Sequence, residues 1–347
     1  MIVKDLEIKG FRGLRQATLG DFAKVNIFVG RNGSGKSSIL ESLYLALVLN
    51  KGLGYIVRRR GWFGLASVEA LFYEGVGEAT ISTTLWYDSR EDVRMRITAP
   101  TAEHLEALRL RGLDVANMRA IALSAKGEVV KDVLFYVDVN GKYHSVIIKE
   151  EGEEVVNDAS FIDWNSVYEY GSPEDVYSNM MIVGGDKAKR VVIEALRAEF
   201  EELHDIAVLR TGDRWVLHFV LSERSIPYYV VGDGIRYALM YLMTTATWEG
   251  RVLLMEEPEL HTHPSLMRIV GRAILSSYKE RLNQVFISTH SLELIEAILE
   301  EAEKLGLGDD ELKIYRLSLT KGELKSEVYT LSEAREAVSK IGWDLRR

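Results

Sequence analysis

The feature that most limits what this chain can become is an eight-residue run, Gly30-Arg31-Asn32-Gly33-Ser34-Gly35-Lys36-Ser37. It sits between a short, mostly apolar run, Val25–Val29, and a stretch with helical spacing, in which Ile39, Leu40, Leu43 and Leu47 fall on one stripe. The first has the character of a buried parallel strand and the second of an amphipathic helix. Gly30, Gly33 and Gly35 permit backbone angles and a close approach that side chains would block. Successive N–H groups around Gly33–Lys36, with the positive end of the helix that follows, form a cradle for the β- and γ-phosphates of a nucleotide. Lys36 adds a point charge, and the Ser37 hydroxyl is a ligand for Mg²⁺. The implied ligands are ATP and Mg²⁺.

Three further segments extend the pattern. Val252-Leu253-Leu254-Met255-Glu256-Glu257-Pro258-Glu259 is an apolar strand ending in paired carboxylates. In such a pair Glu256 would hold the metal and Glu257 would orient or deprotonate the attacking water. Phe286-Ile287-Ser288-Thr289-His290-Ser291 is an apolar strand that delivers a histidine. His290 can donate from one ring nitrogen and accept on the other, which suits a γ-phosphate sensor. Val231-Gly232-Asp233-Gly234-Ile235-Arg236 opens a helix with glycines and makes a second anion-binding N-terminus. One ATP needs only one such cradle, so a second suggests service to the ATP of another subunit; taken alone, the segment reads as an ordinary tight turn before a helix.

Composition sets outer bounds. The chain has 347 residues, room for one large domain or two smaller ones, and 47% hydrophobic content, enough for a sizeable core. A net charge of −9 gives no global attraction to nucleic acid or anionic lipid. With no cysteine there is no disulfide, thiolate metal site or thiol nucleophile. The N-terminus lacks an apolar core of signal-peptide length, and runs such as Leu45–Leu49 are too short for a bilayer, so the expectation is a cytoplasmic chain without a membrane partner.

Between the motifs, alternation predicts strands at Ile2–Ile8, Ile206–Leu209, Trp215–Leu221 and Lys313–Leu319. Hairpins are expected over Ala79–Ile97, turning near Asp88–Asp92, and over Val130–Ile148, turning at Asn140-Gly141. Helical periodicity marks Ala102–Ala120, Pro173–His204, Gly232–Thr247 and Ser332–Ile341. The order predicts an N-terminal part over 1–98 that carries the loop, an insert over 99–205 with a hairpin and a helical lid, and a C-terminal part over 206–347 with the remaining motifs. No segment holds heptads long enough for a coiled-coil arm.

Together these residues resemble the head domain of an ABC-class ATPase, within the group that includes RecF, SMC heads and the ATPase domain of OLD-family nucleases. Ile8-Lys9-Gly10-Phe11-Arg12-Gly13 resembles the opening strand of that group, Gly30–Ser37 its Walker A, Gly232–Gly234 its signature, Glu256–Pro264 its Walker B and D-loop, and Ser288–Ser291 its switch-histidine loop. Gly342–Arg346 resembles the end of small stand-alone members. The resemblance implies an α/β P-loop NTPase with antiparallel hairpins and an inserted α+β region. It adds Arg12 and Ser38 to the nucleotide-binding set of Gly30–Ser37 and Gly232, Asp233 and Gly234, with Lys36, Glu257 and His290 as the catalytic set. It also implies two heads sandwiching two ATPs, each signature facing the other copy's γ-phosphate. Nothing after His290 resembles the nuclease domain of OLD proteins, so a head alone is expected, with a separate effector protein or DNA as further partner. Arg58-Arg59-Arg60-Gly61-Trp62-Phe63 combines bases with aromatics, a pattern that can grip phosphates and stack on a base. Three departures stand out. Gly232 replaces the signature serine, Glu256 replaces the usual aspartate, and no glutamine lies between residues 37 and 232.

Overall fold

The computed structural model describes residues 2–75, 77–86, 90–109, 118–125, 128–151, 159–163, 172–197, 200–260, 262 and 266–341. In chain order the strands begin with β1 (Ile2–Val3), β2 (Asp5–Phe11), β3 (Leu14–Gly20) and β4 (Val25–Val29). Helix α1 (Lys36–Arg59) follows, then α2 (Gly64–Glu69), β5 (Ala79–Trp86), β6 (Arg90–Thr98), α3 (Ala102–Arg109), β7 (Arg119–Ala125), β8 (Glu128–Val137), β9 (Tyr143–Glu150) and β10 (Ala159–Ile162). The remainder runs α4 (Pro173–Val183), α5 (Gly185–Arg197), β11 (Leu203–Thr211), β12 (Arg214–Leu221), β13 (Ser225–Pro227), α6 (Asp233–Thr247), β14 (Val252–Glu256), α7 (Met267–Lys279), β15 (Gln284–Ser288), α8 (Leu292–Lys304), β16 (Leu312–Thr320), β17 (Glu323–Thr330) and α9 (Leu331–Ile341). The chain divides into two units. One holds Met1–Phe22, Arg31–Ala159 and Leu317–Glu327, the other Ala23–Gly30, Ser160–Arg316 and Val328–Arg347.

In the first unit the strands follow the order β17-β3-β2-β5-β6-β7-β8-β9, with β1 beside β5. Pairing from β3 to β9 is antiparallel throughout. Helix α1 lies against β2, β5, β6, β7 and β9, and buries Ile39, Leu40, Leu43 and Leu47, the stripe read from the sequence. It continues past Leu49 to Arg59, across a break at Leu49 (φ 48, ψ −116). The β8–β9 hairpin turns at Asn140-Gly141 as expected. There Asp138 Oδ1 accepts from the N–H groups of Asn140 and Lys142, both at 2.9 Å.

In the second unit the order is β10-β14-β15-β4-β16. Val252–Glu256 runs parallel to Gln284–Ser288, Val285–Ser288 parallel to Val25–Phe28, and Leu312–Arg316 parallel to Val25–Val29. Every residue of β4, β14 and β15 is buried, which is why these segments read as mostly apolar runs rather than alternating ones. Helices α4 to α8 pack into one core with the apolar side chains of these strands. A separate antiparallel sheet, β11-β12-β13, adds Leu203, Ile206, Leu217 and Phe219 to that core.

Several expectations change. The helix at Ala102 ends at Arg109, and Arg119 and Ala120, expected as its last residues, open the strand Arg119–Ala125. Alanine-rich local sequence favours helix, but pairing on both edges, with β6 and β8, overrides it. Residues 110–117 lie outside the described set. Helix over Pro173–His204 is two helices, parted at Gly184, and Leu203 already belongs to β11. Ile2–Ile8 is two strands rather than one. Trp86 pairs with Arg90 in the first hairpin, and the part of its expected turn that falls on residues 87–89 lies outside the described residues. Among the described residues no helix is long and apolar enough to cross a membrane, which says nothing of a β-barrel.

Candidate nucleotide-binding site

The second unit holds the strand-end residues of the expected set. Parallel register brings the carboxyl ends of three strands to one edge: Glu256 pairs with Ser288, and Ser288 with Phe28. In open α/β sheets this edge is where ligands bind. Beyond β4 the chain passes through Val29 to Gly30 (φ 146) and enters the loop. Glu256 is 8% exposed. Glu257 has a left-handed backbone (φ 46), rare for a residue with a side chain and a form in which strain is held by its surroundings. Those surroundings are explicit: the Glu257 N–H donates to Ser288 O at 2.8 Å, and its carbonyl accepts from Leu260 N–H at 3.0 Å. Its Oε1 stands 3.6 Å from His290 Nε2. The second unit therefore brings together Glu257 and His290, two of the three residues expected to be catalytic.

Glu259 was read from the sequence only as part of a motif, and it does more. Its Oε1 accepts from Thr289 Oγ1 at 2.7 Å and from the His290 backbone N–H at 3.0 Å. Burial raises its pKa above the ordinary glutamate value, against those two hydrogen bonds. His261, His263 and Pro264 of the same motif lie outside the described residues, as does Gly342–Arg346.

Gly232–Gly234 lies at the N-terminus of α6. Gly232 and Asp233 are exposed, and nothing lies within 4 Å of where a Gly232 Cβ would be. The Gly232 carbonyl accepts from the N–H groups of Ile235 at 3.0 Å and Arg236 at 3.1 Å, and Asp233 pairs with Arg236.

The first unit holds Arg31–Ser38. Gly33 (φ 78) and Gly35 (φ 92) take the left-handed forms the loop requires. A Cβ on Gly35 would come within 3.1 Å of Leu14 Cδ2. Arg31, Asn32 and Gly33 are exposed, Ser37 is half-buried, and Ser34, Lys36 and Ser38 are buried. Lys36 Nζ folds back to donate to Arg31 O at 3.2 Å, closing a tight ring of backbone. The Ser34 hydroxyl is buried with no hydrogen-bond partner among the described residues. Buried donors around a glycine-rich turn fit phosphate oxygens.

Arg12 belongs to the same unit. It pairs with Glu41, a carboxylate with no exposure at all, and its guanidinium lies 5.7 Å from the centre of the Trp62 ring. Glu41 Oε1 also accepts from Arg59 Nη1 at 2.6 Å and Arg60 Nε at 2.8 Å. Burial pulls the Arg60 pKa below its ordinary value, Glu41 opposing and Arg12 and Arg59 adding to the fall. Two arginines of the basic run thus serve an internal charge cluster. Its sequence signal was a lone acid in an otherwise apolar stretch of α1.

A glycine-rich loop of this pattern on a buried parallel strand, beside one strand ending in Glu256-Glu257 and another leading to His290, defines an ABC-class ATPase head of the RecF and SMC group. More particularly, residues 1–74 and 127–295 match the AAA ATPase domain, and the chain belongs to that family. It is similar to an ATP/GTP phosphatase of Helicobacter pylori, 21% identical over 86% of this chain and 87% of that protein. It is also similar to the DNA replication and repair protein RecF of Idiomarina loihiensis, 30% identical over 35% of this chain and 30% of that protein. Among solved structures it resembles an SMC head bound to the C-winged helix domain of ScpA, with a TM-score of 0.63, 14% identity, and cover of 96% of this chain and all of that one (100%). At that identity the likeness shows the fold.

Proposed function

We propose that this chain binds Mg-ATP on Gly30–Ser37, hydrolyses it, and uses the cycle to associate with a second copy of itself. The observation that carries the reading is Glu257. A strained carboxylate at a strand end, 3.6 Å from a histidine, is poised for chemistry rather than for stability. In this reading the loop N–H groups, with Ser38, and Lys36 hold the phosphates. Ser37 and Glu256 are the residues that would hold Mg²⁺, which supplies charge neutralisation when bound. Glu257 orients the attacking water and His290 contacts the γ-phosphate. Gly232 and Asp233 are exposed and Gly234 is half-buried, which leaves the segment open to the phosphate of another copy. Arg12 acts indirectly, through Glu41 on the helix that begins with Lys36.

The reading is tested with two variants. Lys36→Ala abolishes binding of a fluorescent ATP analogue. Glu257→Gln keeps binding, loses about a hundredfold or more in turnover, and accumulates as a dimer with Mg-ATP in sizing with light scattering. A Glu257→Gln protein that stays monomeric at saturating Mg-ATP refutes the association.

A second reading is control of a separate effector protein without DNA contact. It gains from the engagement of Arg59 and Arg60 with Glu41, which takes two cations away from a DNA phosphate role. Salt-sensitive, ATP-strengthened binding of duplex DNA would count against it.

A further inference from the structure

The Glu257–His290 distance rests on a closed ring of contacts within the second unit. On one side is the turn after β14: Glu257 and Leu260 share a backbone hydrogen bond of 3.0 Å, which holds Glu257 and Glu259 on the same turn. On the other is the segment after β15, anchored to β4 by the Thr289 N–H donating to Phe28 O at 3.1 Å. Two ties join the two sides. One is Glu257 N–H to Ser288 O at 2.8 Å. The other is Glu259 Oε1, which takes Thr289 Oγ1 and the His290 N–H together. Thr289 Oγ1 in turn accepts from Ser291 N–H at 3.0 Å, so the hold extends to the start of α8. A single tie leaves a hinge, and two ties fix the peptide from which the His290 ring projects.

We infer that Glu259 is a positioning residue: it grips the Thr289–His290 backbone and so sets the approach of His290 to Glu257. Its other oxygen, Oε2, is buried with no hydrogen-bond partner among the described residues, so the whole grip is made through Oε1. Glu259 also contributes to the electrostatic surroundings of the fully buried Tyr241 on α6, whose ring centre is 5.0 Å from that of Tyr237. The inference rests on the catalytic reading of Glu257 and His290 given above.

The test compares Glu259→Ala with Glu259→Gln, whose amide oxygen can still accept both donors. Steady-state ATPase kinetics are expected to show kcat about tenfold or more lower in Glu259→Ala, with KM within about twofold of the parent. Glu259→Gln recovers most of the rate. Hydrogen exchange at the His290 amide, slow in the parent, becomes fast in Glu259→Ala and slow again in Glu259→Gln. If Glu259→Ala does not fold, Thr289→Val, which removes one of the two donors, must still lower kcat at constant KM. An unchanged kcat, a loss shared equally by the Gln variant, or unchanged exchange overturns the inference. A parent with no ATPase activity refutes the catalytic reading, and the exchange experiment then still decides whether Glu259 holds the turn.

Discussion

Glu41→Gln removes a charge at the centre of the first unit and leaves the shape intact. Glu41 is wholly buried and faces three guanidiniums, with side-chain exposures of 17% for Arg12, 9% for Arg59 and 27% for Arg60. Gln keeps an acceptor, so the loss is the charge-assisted share of three bonds, about 1 kcal/mol each. The sum, about 3 kcal/mol, agrees with the lower end of what breaking a buried pair costs. It is a large fraction of a typical domain stability of about 5–15 kcal/mol. At about 2–4 °C per kcal/mol for a unit of this size, Tm falls by about 6–12 °C. Calorimetry reads it, and added salt should restore little, because a buried cluster is weakly screened. A second substitution, Arg60→Gln on the Glu41→Gln background, should recover part of the loss by removing one unbalanced cation, a coupling that a double-mutant cycle isolates. A Tm change under about 2 °C, or two additive losses, would refute the view that the three arginines depend on Glu41.

Two further outcomes follow from local geometry. Gly35→Ala asks a side chain to take φ 92 and brings its Cβ within 3.1 Å of Leu14 Cδ2, so titration calorimetry should find ATP binding lost and scanning calorimetry a lower Tm; parent-like affinity would show that the loop does not need this backbone form. Glu311 accepts from Lys279 Nζ at 2.8 Å, from the Tyr278 hydroxyl and from Gly308 N–H at 2.8 Å, and these bonds, Lys279 first, bring its pKa from 4.5 down to about 2. A depressed folded-state pKa means stability that is present above pH 4.5 and lost as pH falls toward 2, so urea midpoints of the parent should drop across that window while those of Glu311→Gln stay flatter; parallel curves would remove the linkage.

What the sequence shows and hides has a physical division. Segments whose environment is uniform were legible: β4, β14 and β15 are buried on both faces, so their apolar runs announce them. The loop was legible because three glycines and a lysine at fixed spacing leave few alternatives. Strand β7 was not, because its alanines suit a helix until β6 and β8 supply partners. Strand β17 was not, because Glu323–Thr330 is mostly exposed and carries no apolar face. The charge cluster on Glu41 and the grip of Glu259 were hidden for another reason. Each joins residues far apart in sequence, 29 positions for Arg12 and Glu41 and 31 for Glu259 and His290, and local pattern holds no trace of such a pairing.

The placement of chemistry at one edge follows from the same burial that makes the strands. A strand buried on both faces cannot carry a charge along its length without a partner, so the first charged side chain must wait for the end of the apolar run. Strands β14 and β15 have the same length, five residues, with Glu256 and Ser288 as their last, and the pairing begins in register at Val252 and Gln284. Equal strands in parallel register end together, which puts Glu256 level with Ser288, and Ser288 level with Phe28 just ahead of Gly30. The edge is therefore not a separate design laid over the fold. A one-residue insertion within Val252–Met255 would move the carboxylate pair past the edge and swap the faces of β14, and both the core and the site would fail together.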